Sequence, residues 1–279
     1  MAGRLSRGQV DQIVDIFRNV KDVEVASDLH VYIDALRRSA HSAFTDAALD
    51  DAAAAITALE MPVASRRDWP SSTSRGHFFV FEGLDRSGKS TQSKLLAKHF
   101  EKERAVQWMC FPNRATALGT LIDLYLLKRI EMSDKMVHLL FSANRWEAAA
   151  KLVETLNAGT TVVCDRYAFS GAAYSSAKGL DVDWCKSPDV GVPQPDGVFF
   201  MTVDEKVGAS RAGFGDERYE NESLQSKVRV LFLEPRIRHG VAWHDVDGAR
   251  AIEEIHAEIR AIADKSAGEV SEIRRLWIA

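Results

Sequence analysis

The stretch Gly83-Leu84-Asp85-Arg86-Ser87-Gly88-Lys89-Ser90 constrains what this chain can fold into more than any other segment. It matches GxxxxGK[ST] at every fixed position. It also stands between a buried-strand pattern, HFFVFEG (77–83), and a helical one, KSTQSKLLAKHFEKE. Glycines at both ends let successive backbone N–H groups curl around an anion, and the following helix turns its positive end toward the same point. In such a turn Lys89 places a charge between the β- and γ-phosphates of a nucleotide, and the Ser90 hydroxyl ligates Mg2+. A phosphate turn of this kind needs a sheet behind it. AVQWMCF (105–111), TTVVCD (160–165), GVFFMTV (197–203) and VAWHDV (241–246) supply four more short apolar runs, each followed by helical sequence. Strands alternating with helices predict an α/β fold, a parallel five-stranded sheet with helices on both faces.

The turn alone says only that the chain handles nucleoside triphosphates. A GTPase needs a guanine-specifying NKxD, which the sequence lacks. A motor or helicase wants two adjacent acids after an apolar strand, and the third strand ends in the single acid Asp165, followed by Arg166. Asp165 suits a metal held through water, and Arg166 suits a second anion, which together point to phosphoryl transfer onto a phosphorylated acceptor. Arg114 in FPNR follows the second strand, and Arg145 in FSANRWE lies four residues after Phe141 on one helical face. All three arginines fall where the carboxyl ends of parallel strands place ligands. Arginine grips phosphates and carbonyls bidentately, and Phe141 can stack on a base. Singly, each arginine reads as a surface ion-pair partner; beside the phosphate turn they read as an acceptor site.

FEGLDRSGKSTQ, FPNRATALG, HLLFSANRWE, DRYAFSGAAY, DWCKSPDVGVPQPD and GFGDERYE resemble, in order and spacing, the thymidylate kinase family and its eukaryotic branch. The resemblance covers roughly 77–262. It implies a P-loop nucleoside monophosphate kinase fold that moves the ATP γ-phosphoryl to dTMP with Mg2+, giving dTDP for dTTP synthesis, as a homodimer. It implies that Gly83, Asp85, Arg86, Ser87, Gly88, Lys89, Ser90 and Thr91 bind ATP, with Arg211 stacking on adenine. Ser90 and Asp165 would serve the metal. Asp85 would contact the sugar 3′-hydroxyl and Arg86 would bridge the two phosphates, both catalytic with Lys89 and Asp165. Arg114 and Arg166 would hold the dTMP phosphate, Phe141 would stack on thymine and Arg145 would bond its O4. Tyr174 would crowd the place of a ribose 2′-hydroxyl, Gln225 would close the base pocket, and Phe111 and Tyr219 would complete the acceptor site. Segment 211–219 resembles the mobile lid, and Asp247-Gly248-Ala249 a turn over adenine. Asn113 departs from the family, which usually has an acid there, and leaves the tether of Arg114 open. The alternatives are a broader pyrimidine kinase acting on dUMP, UMP or CMP, and a non-catalytic nucleotide-binding scaffold.

The sequence divides into an N-terminal helical extension (1–62), a Pro/Ser-rich linker (63–76), the kinase-like region (77–265) and a C-terminal tail (266–279). Val10, Ile13, Val14 and Phe17 share one helical face, as do Leu29, Tyr32, Ile33 and Leu36. A third helix, Ala47 to Leu59, begins after the capping pair Thr45-Asp46. The extension carries no catalytic constellation; it reads as an appendage for folding or oligomer contacts, or as a module for a protein partner. Helix 134–157 has apolar residues enough for a core face and a partner face. A net charge of −4 argues against nucleic-acid binding through phosphate attraction. No run approaches the ~20 apolar residues of a membrane span. Cys110, Cys164 and Cys185 show no paired spacing and read as buried thiols of a reducing compartment. The cytoplasm is the expected location, with nucleus or mitochondrion as alternatives.

Overall fold

The computed structural model describes Ile33 and residues 45–61, 68–203, 217–266 and 272–278. All five expected strands are present: β1 (Phe78–Gly83), β2 (Val106–Cys110), β3 (Thr161–Asp165), β4 (Gly197–Thr202) and β5 (Trp243–Asp247). They are parallel, in the order β2-β3-β1-β4-β5. β1 and β3 are buried end to end, which is why they read as continuous apolar runs. The chain leaves β1 for the edge strand β2, returns through β3, then crosses β1 to β4. That reversal opens a crevice beyond the carboxyl ends of β1 and β3, where open α/β sheets bind ligands.

α2 (Lys89–Phe100) starts directly on the phosphate turn, with Gly88 at φ 96° as its N-cap and no side chain capping it. Glycine adopts that left-handed backbone freely, and the first N–H groups of the helix stay unclaimed by side chains. α3 (Ala117–Leu126) and α4 (Asp134–Asn157) are instead capped by Thr116 and Ser133. α5 (Ala168–Ala177), α6 (Val182–Lys186), α7 (Glu222–Phe232), α8 (Pro235–Arg238) and α9 (Ile252–Ser266) complete the order. Alternate residues of β1 face opposite sides of the sheet. Phe79 and Phe81 pack with α2 and α9, whereas Phe78 and Val80 pack with α5, α7 and the far end of α4.

The two ends of the chain are more integrated than their composition suggests. The expected third helix of the extension is α1 (Asp46–Glu60), and its Leu49, Ala52, Ala55 and Ile56 share a buried cluster with residues of α3 and α4. Ile33 is helical and buried in the same cluster; the other residues of the first two expected helices lie outside the described residues. The described part of the linker is docked rather than free. Trp69 Nε1 donates to Gly191 O (2.9 Å), and Arg75 forks onto Asp196 at 2.9 and 2.6 Å. The tail is pinned too: Leu276 is fully buried and its N–H donates to Val192 O at 2.8 Å. A tryptophan, one buried arginine and two apolar tail residues do this anchoring, too few to register as a periodic pattern. No helix among the described residues is long and apolar enough to cross a membrane.

Candidate active site

The crevice is a cleft of about 580 Å³ lined by Asp85, Arg86 and Gly88 to Thr91 on one side and by Phe111, Arg114, Phe141, Arg145, Arg166, Tyr174 and Tyr219 on the other. On the first side Lys89 folds back over the turn, donating to Leu84 O and, at 3.4 Å, to Ser87 Oγ. Burial and the neighbouring Arg166 lower its pKa to about 8, against the pull of Asp85, Asp165 and Glu82. Ser90 Oγ donates to Asp165 Oδ2, while the buried Asp165 Oδ1 has no hydrogen-bond partner. A hydroxyl against a carboxylate with one orphaned oxygen is a donor set suited to a hard divalent cation that takes its other ligands from phosphate and water.

Asp85 and Arg166 join the two sides. Arg166 Nη2 donates to Asp85 Oδ1, and Arg166 Nη1 donates to Gly83 O and Ser170 Oγ, each at 3.0 Å. Tyr174 Oη donates to Asp85 Oδ2 at 3.0 Å and Gln225 Nε2 to the same atom at 2.6 Å. Burial raises the Asp85 pKa, but the charges of Arg166 and Lys89 outweigh it and hold the carboxyl below its ordinary value. Arg86 (φ 60°) and Arg166 (φ 67°) both sit in the left-handed backbone region, which costs a non-glycine residue on the order of 1 kcal/mol or more. The strain falls on the two arginines nearest the phosphate turn.

Each acceptor-side arginine has a carboxylate partner. Arg145 is 2% exposed and its Nε and Nη2 meet Asp189, itself fully buried, at 2.8 and 2.5 Å. A Cβ on Gly171 would lie 2.8 Å from Arg145 Nη2, so glycine there leaves room for the guanidinium. Arg114 bonds Asp123 and, at 2.8 Å, Glu217; Arg86 Nε meets Glu220 at 3.1 Å. Asp123 and Glu217 thus supply the tether of Arg114 that Asn113 left open, and Asn113 is itself held by its backbone N–H. Asn144 Oδ1 accepts from Asn113 N at 2.7 Å, and Asn144 Nδ2 donates to Thr116 Oγ1 (3.0 Å) and Glu147 Oε2 (2.9 Å). Burial pushes the Glu147 carboxyl up to about 7 despite these hydrogen bonds. The bond between Phe111 and Pro112, next to this anchor, is cis.

The sequence-read residues therefore converge, with qualifications. Gly83 and Ser87 stand behind the turn as carbonyl and hydroxyl acceptors. Gln225 Nε2 donates to Asp85 Oδ2, to Tyr174 Oη (3.3 Å) and to Tyr219 O (3.0 Å), because α7 packs against α5 and brings the amide beside them. Arg211 lies outside the described residues, and of segment 211–219 only Glu217 to Tyr219 is described. Sequence reasoning missed Asp189, Asn144, Glu147 and Glu82. Glu82 was visible as the lone acid in an apolar strand; it is fully buried and accepts from the N–H groups of Tyr167 (2.9 Å) and Ser170 (3.0 Å), fixing the turn after β3.

The family model described as thymidylate kinase matches residues 81–259. A thymidylate kinase from Schizosaccharomyces pombe is 46% identical over 193 residues, covering 68% of this chain and 92% of its own length. The Danio rerio thymidylate kinase is 42% identical over 210 residues, 74% of this chain and 99% of its own. These relatives leave the greater part of the segment before residue 81 without a counterpart. A solved thymidylate kinase from Candida albicans, described as revealing the origin of broad substrate specificity and a novel structural element, superposes with a TM-score of 0.65 at 36% identity. That match covers 72% of this chain and 98% of the other. With the phosphate turn, the second anion site and these matches in agreement, the chain belongs to the thymidylate kinase family.

Proposed function

We propose that this chain transfers the γ-phosphoryl group of ATP to the phosphate of dTMP, yielding ADP and dTDP. The observation that carries the reading is one cleft with two cationic poles, Lys89 and Arg86 on the phosphate turn and Arg114 and Arg166 on the acceptor side. The first N–H groups of α2 and Lys89 bind the donor phosphates. Ser90 and Asp165 are the residues that would hold Mg2+, which neutralises charge on the donor phosphates when bound. Arg114 and Arg166 bind the acceptor phosphate, exchanging part of their present carboxylate contacts for phosphate oxygens. Arg86, between the two, adds charge where it develops on the transferred group; positioned cations supply most of the acceleration in such a step. The acceptor is already an anion and needs no general base.

The sugar and base ends support the choice of acceptor. Asp85, held ionised, accepts from a sugar hydroxyl, and the Tyr174 ring beside it leaves little room for a 2′-hydroxyl. Phe141 lines the cleft within 6.5 Å of Tyr219, so a base there meets an aromatic wall, with Arg145 set to bond a ring carbonyl. Steady-state comparison of dTMP, dUMP and UMP with ATP and Mg2+ tests the assignment. The expected kcat/KM for dTMP exceeds that for UMP on the order of 100-fold or more. Equal values would overturn it.

A further inference from the structure

The turn that carries Arg114 is held from a neighbouring helix. Residues Phe111 to Thr116 join β2 to α3, and Arg114 stands exposed near their middle. Its guanidinium is held by Asp123 and Glu217. An acceptor phosphate would replace part of those contacts. Once it is bound, the fixed reference for the arginine is therefore the backbone from which its side chain springs.

That backbone is gripped at Asn113. Asn144, buried on α4, accepts from Asn113 N at 2.7 Å through Oδ1 and donates to Asn113 O at 3.3 Å through Nδ2. One side-chain amide thus answers both main-chain groups of the residue before Arg114, as a paired strand would. Thr116 closes the other side of the turn. Its Oγ1 accepts from Gly119 N and from Asn144 Nδ2, both at 3.0 Å, so it caps α3 and joins the same network. Gly119 lets that helix come down on the turn: a Cβ there would lie 1.7 Å from Asn113 O. Glu147, one turn further along α4, sets the orientation of the amide. Its Oε2 accepts from Thr116 Oγ1 at 2.7 Å and from Asn144 Nδ2 at 2.9 Å. A carboxylate oxygen takes only the NH2 end of an amide, which leaves the oxygen end of Asn144 for the Asn113 N–H. Neither Asn144 nor Glu147 lines the cleft.

We propose that Asn144, oriented by Glu147, is a positioning residue for the acceptor phosphate: it fixes the backbone of the Arg114 turn so that the arginine reaches that phosphate, without touching substrate itself. This deepens the reading given above and rests on its assignment of Arg114 to the acceptor. A loop residue with a long side chain gains precision only when its main chain is immobilised, and a buried, fully connected polar network does this better than apolar packing. Adjacent positions of α4 then serve the two ends of the acceptor. Asn144 holds the phosphate-binding turn, and Arg145, aimed by Asp189, faces the base. One rigid helix thereby sets the spacing between them.

A double-mutant cycle on the full chain tests this, with kcat and the KM for dTMP and for ATP measured in wild type, Arg114→Ala, Asn144→Ala and the double variant. Arg114→Ala is expected to raise the KM for dTMP on the order of 100-fold. Asn144→Ala is expected to raise it about 10-fold, with kcat and the KM for ATP within about threefold. In the Arg114→Ala background the same change should cost less than about twofold, because the amide acts through that arginine. An equal cost in both backgrounds would reduce Asn144 to a structural cap of α3 and sink the positioning role. So would an unchanged KM in Asn144→Ala beside a large rise in Arg114→Ala, with the acceptor assignment of Arg114 left intact. If Arg114→Ala itself left the KM for dTMP unchanged, that assignment would fall and the positioning role with it. Should Asn144→Ala fail to fold, Glu147→Leu removes the group that orients the amide. A rise of about threefold or more in the KM for dTMP, reversed in Glu147→Gln with its accepting oxygen, supports the role. Equal KM values in the leucine and glutamine variants refute it.

Discussion

The two sides of the cleft bind the same kind of group by opposite means. The donor side is one contiguous turn: Gly83 to Ser90 carries the N–H groups, the lysine and the hydroxyl, and among the described residues Asp165 is the distant contributor to the metal position proposed for it. The acceptor side is assembled from β2, α4, β3 and α5, and each of its arginines is aimed by a carboxylate elsewhere in the chain. Arg145 depends on Asp189, 44 residues away, and Arg166 on Asp85, 81 residues away. A contiguous turn fixes its own geometry through backbone, whereas a dispersed site is only as precise as its long-range pairs. Changes on the donor side should therefore act on the chemical step, and changes to the hidden acids should act on the acceptor.

The largest expected effect is on the donor side. Arg86→Ala should lower kcat on the order of 1000-fold or more with the KM for ATP changed only a few-fold, because its charge matters most in the transition state. Matching losses in ATP binding and turnover, read from nucleotide titration and single-turnover rates, would remove it from that role.

Asp189→Asn comes next and tests the other half of the comparison. It leaves the guanidinium of Arg145 in a fully buried place with a neutral partner. The expected loss in kcat/KM for dTMP is about 10- to 100-fold, with ATP kinetics nearly unchanged. An equal loss for both substrates would mean that the pair merely holds the fold together.

How much of this was legible follows the same division. The sheet and the phosphate turn were visible because their signals are local: apolar runs, two glycines, a lysine and a hydroxyl at fixed spacing. Arg114, Arg145 and Arg166 were visible as residue types, but their aiming partners were not. Asp189 sits in a Ser-Pro-Asp turn that resembles any surface turn, and Asn144 is one amide inside a helix. Nothing local shows that Asn144 clamps the backbone of Asn113, because that contact exists only once α4 lies beside the β2 exit. The contacts of Gln225 with Asp85, Tyr174 and Tyr219 were hidden for the same reason, since they exist only once α7 packs on α5.

Two pH effects are smaller, and both weaken as pH rises, although the lysine is shifted down and the carboxyl up. Lys89 titrates near 8 in the free enzyme, below its ordinary 10.5, and only the charged form holds phosphate. ATP affinity should therefore fall as pH rises through 8, by up to about tenfold per pH unit above it, and calorimetry should show proton uptake on ATP binding. A flat affinity between pH 7 and roughly 9.5 would mean the lysine stays charged without nucleotide. On the acceptor side, Glu147 titrates near 7 folded against 4.5 unfolded, so the folded state binds the extra proton. Its stabilising contribution is complete below about 4.5 and is lost as pH rises through 7. Glu147→Gln should flatten the decline in Tm between pH 5 and 8 by about 3 °C. An unchanged slope would place the buried proton elsewhere.

The smallest expected effect probes the contact between the two sides. Glu220 holds Arg86 and Glu217 holds Arg114, so the short segment before α7 restrains one arginine from each side of the cleft. Arg86 is still 37% exposed at its side chain, and an exposed ion pair is worth about 1 kcal/mol or less. Binding phosphate must break that pair, so neutralising Glu220 removes a competitor for the arginine. Glu220→Gln should therefore lower the KM for dTMP by about 2- to 5-fold while kcat stays within a factor of about two. A fall in kcat instead would show that Glu220 aims Arg86 at the transferred group, and the donor turn would then depend on a distant carboxylate as the acceptor arginines do.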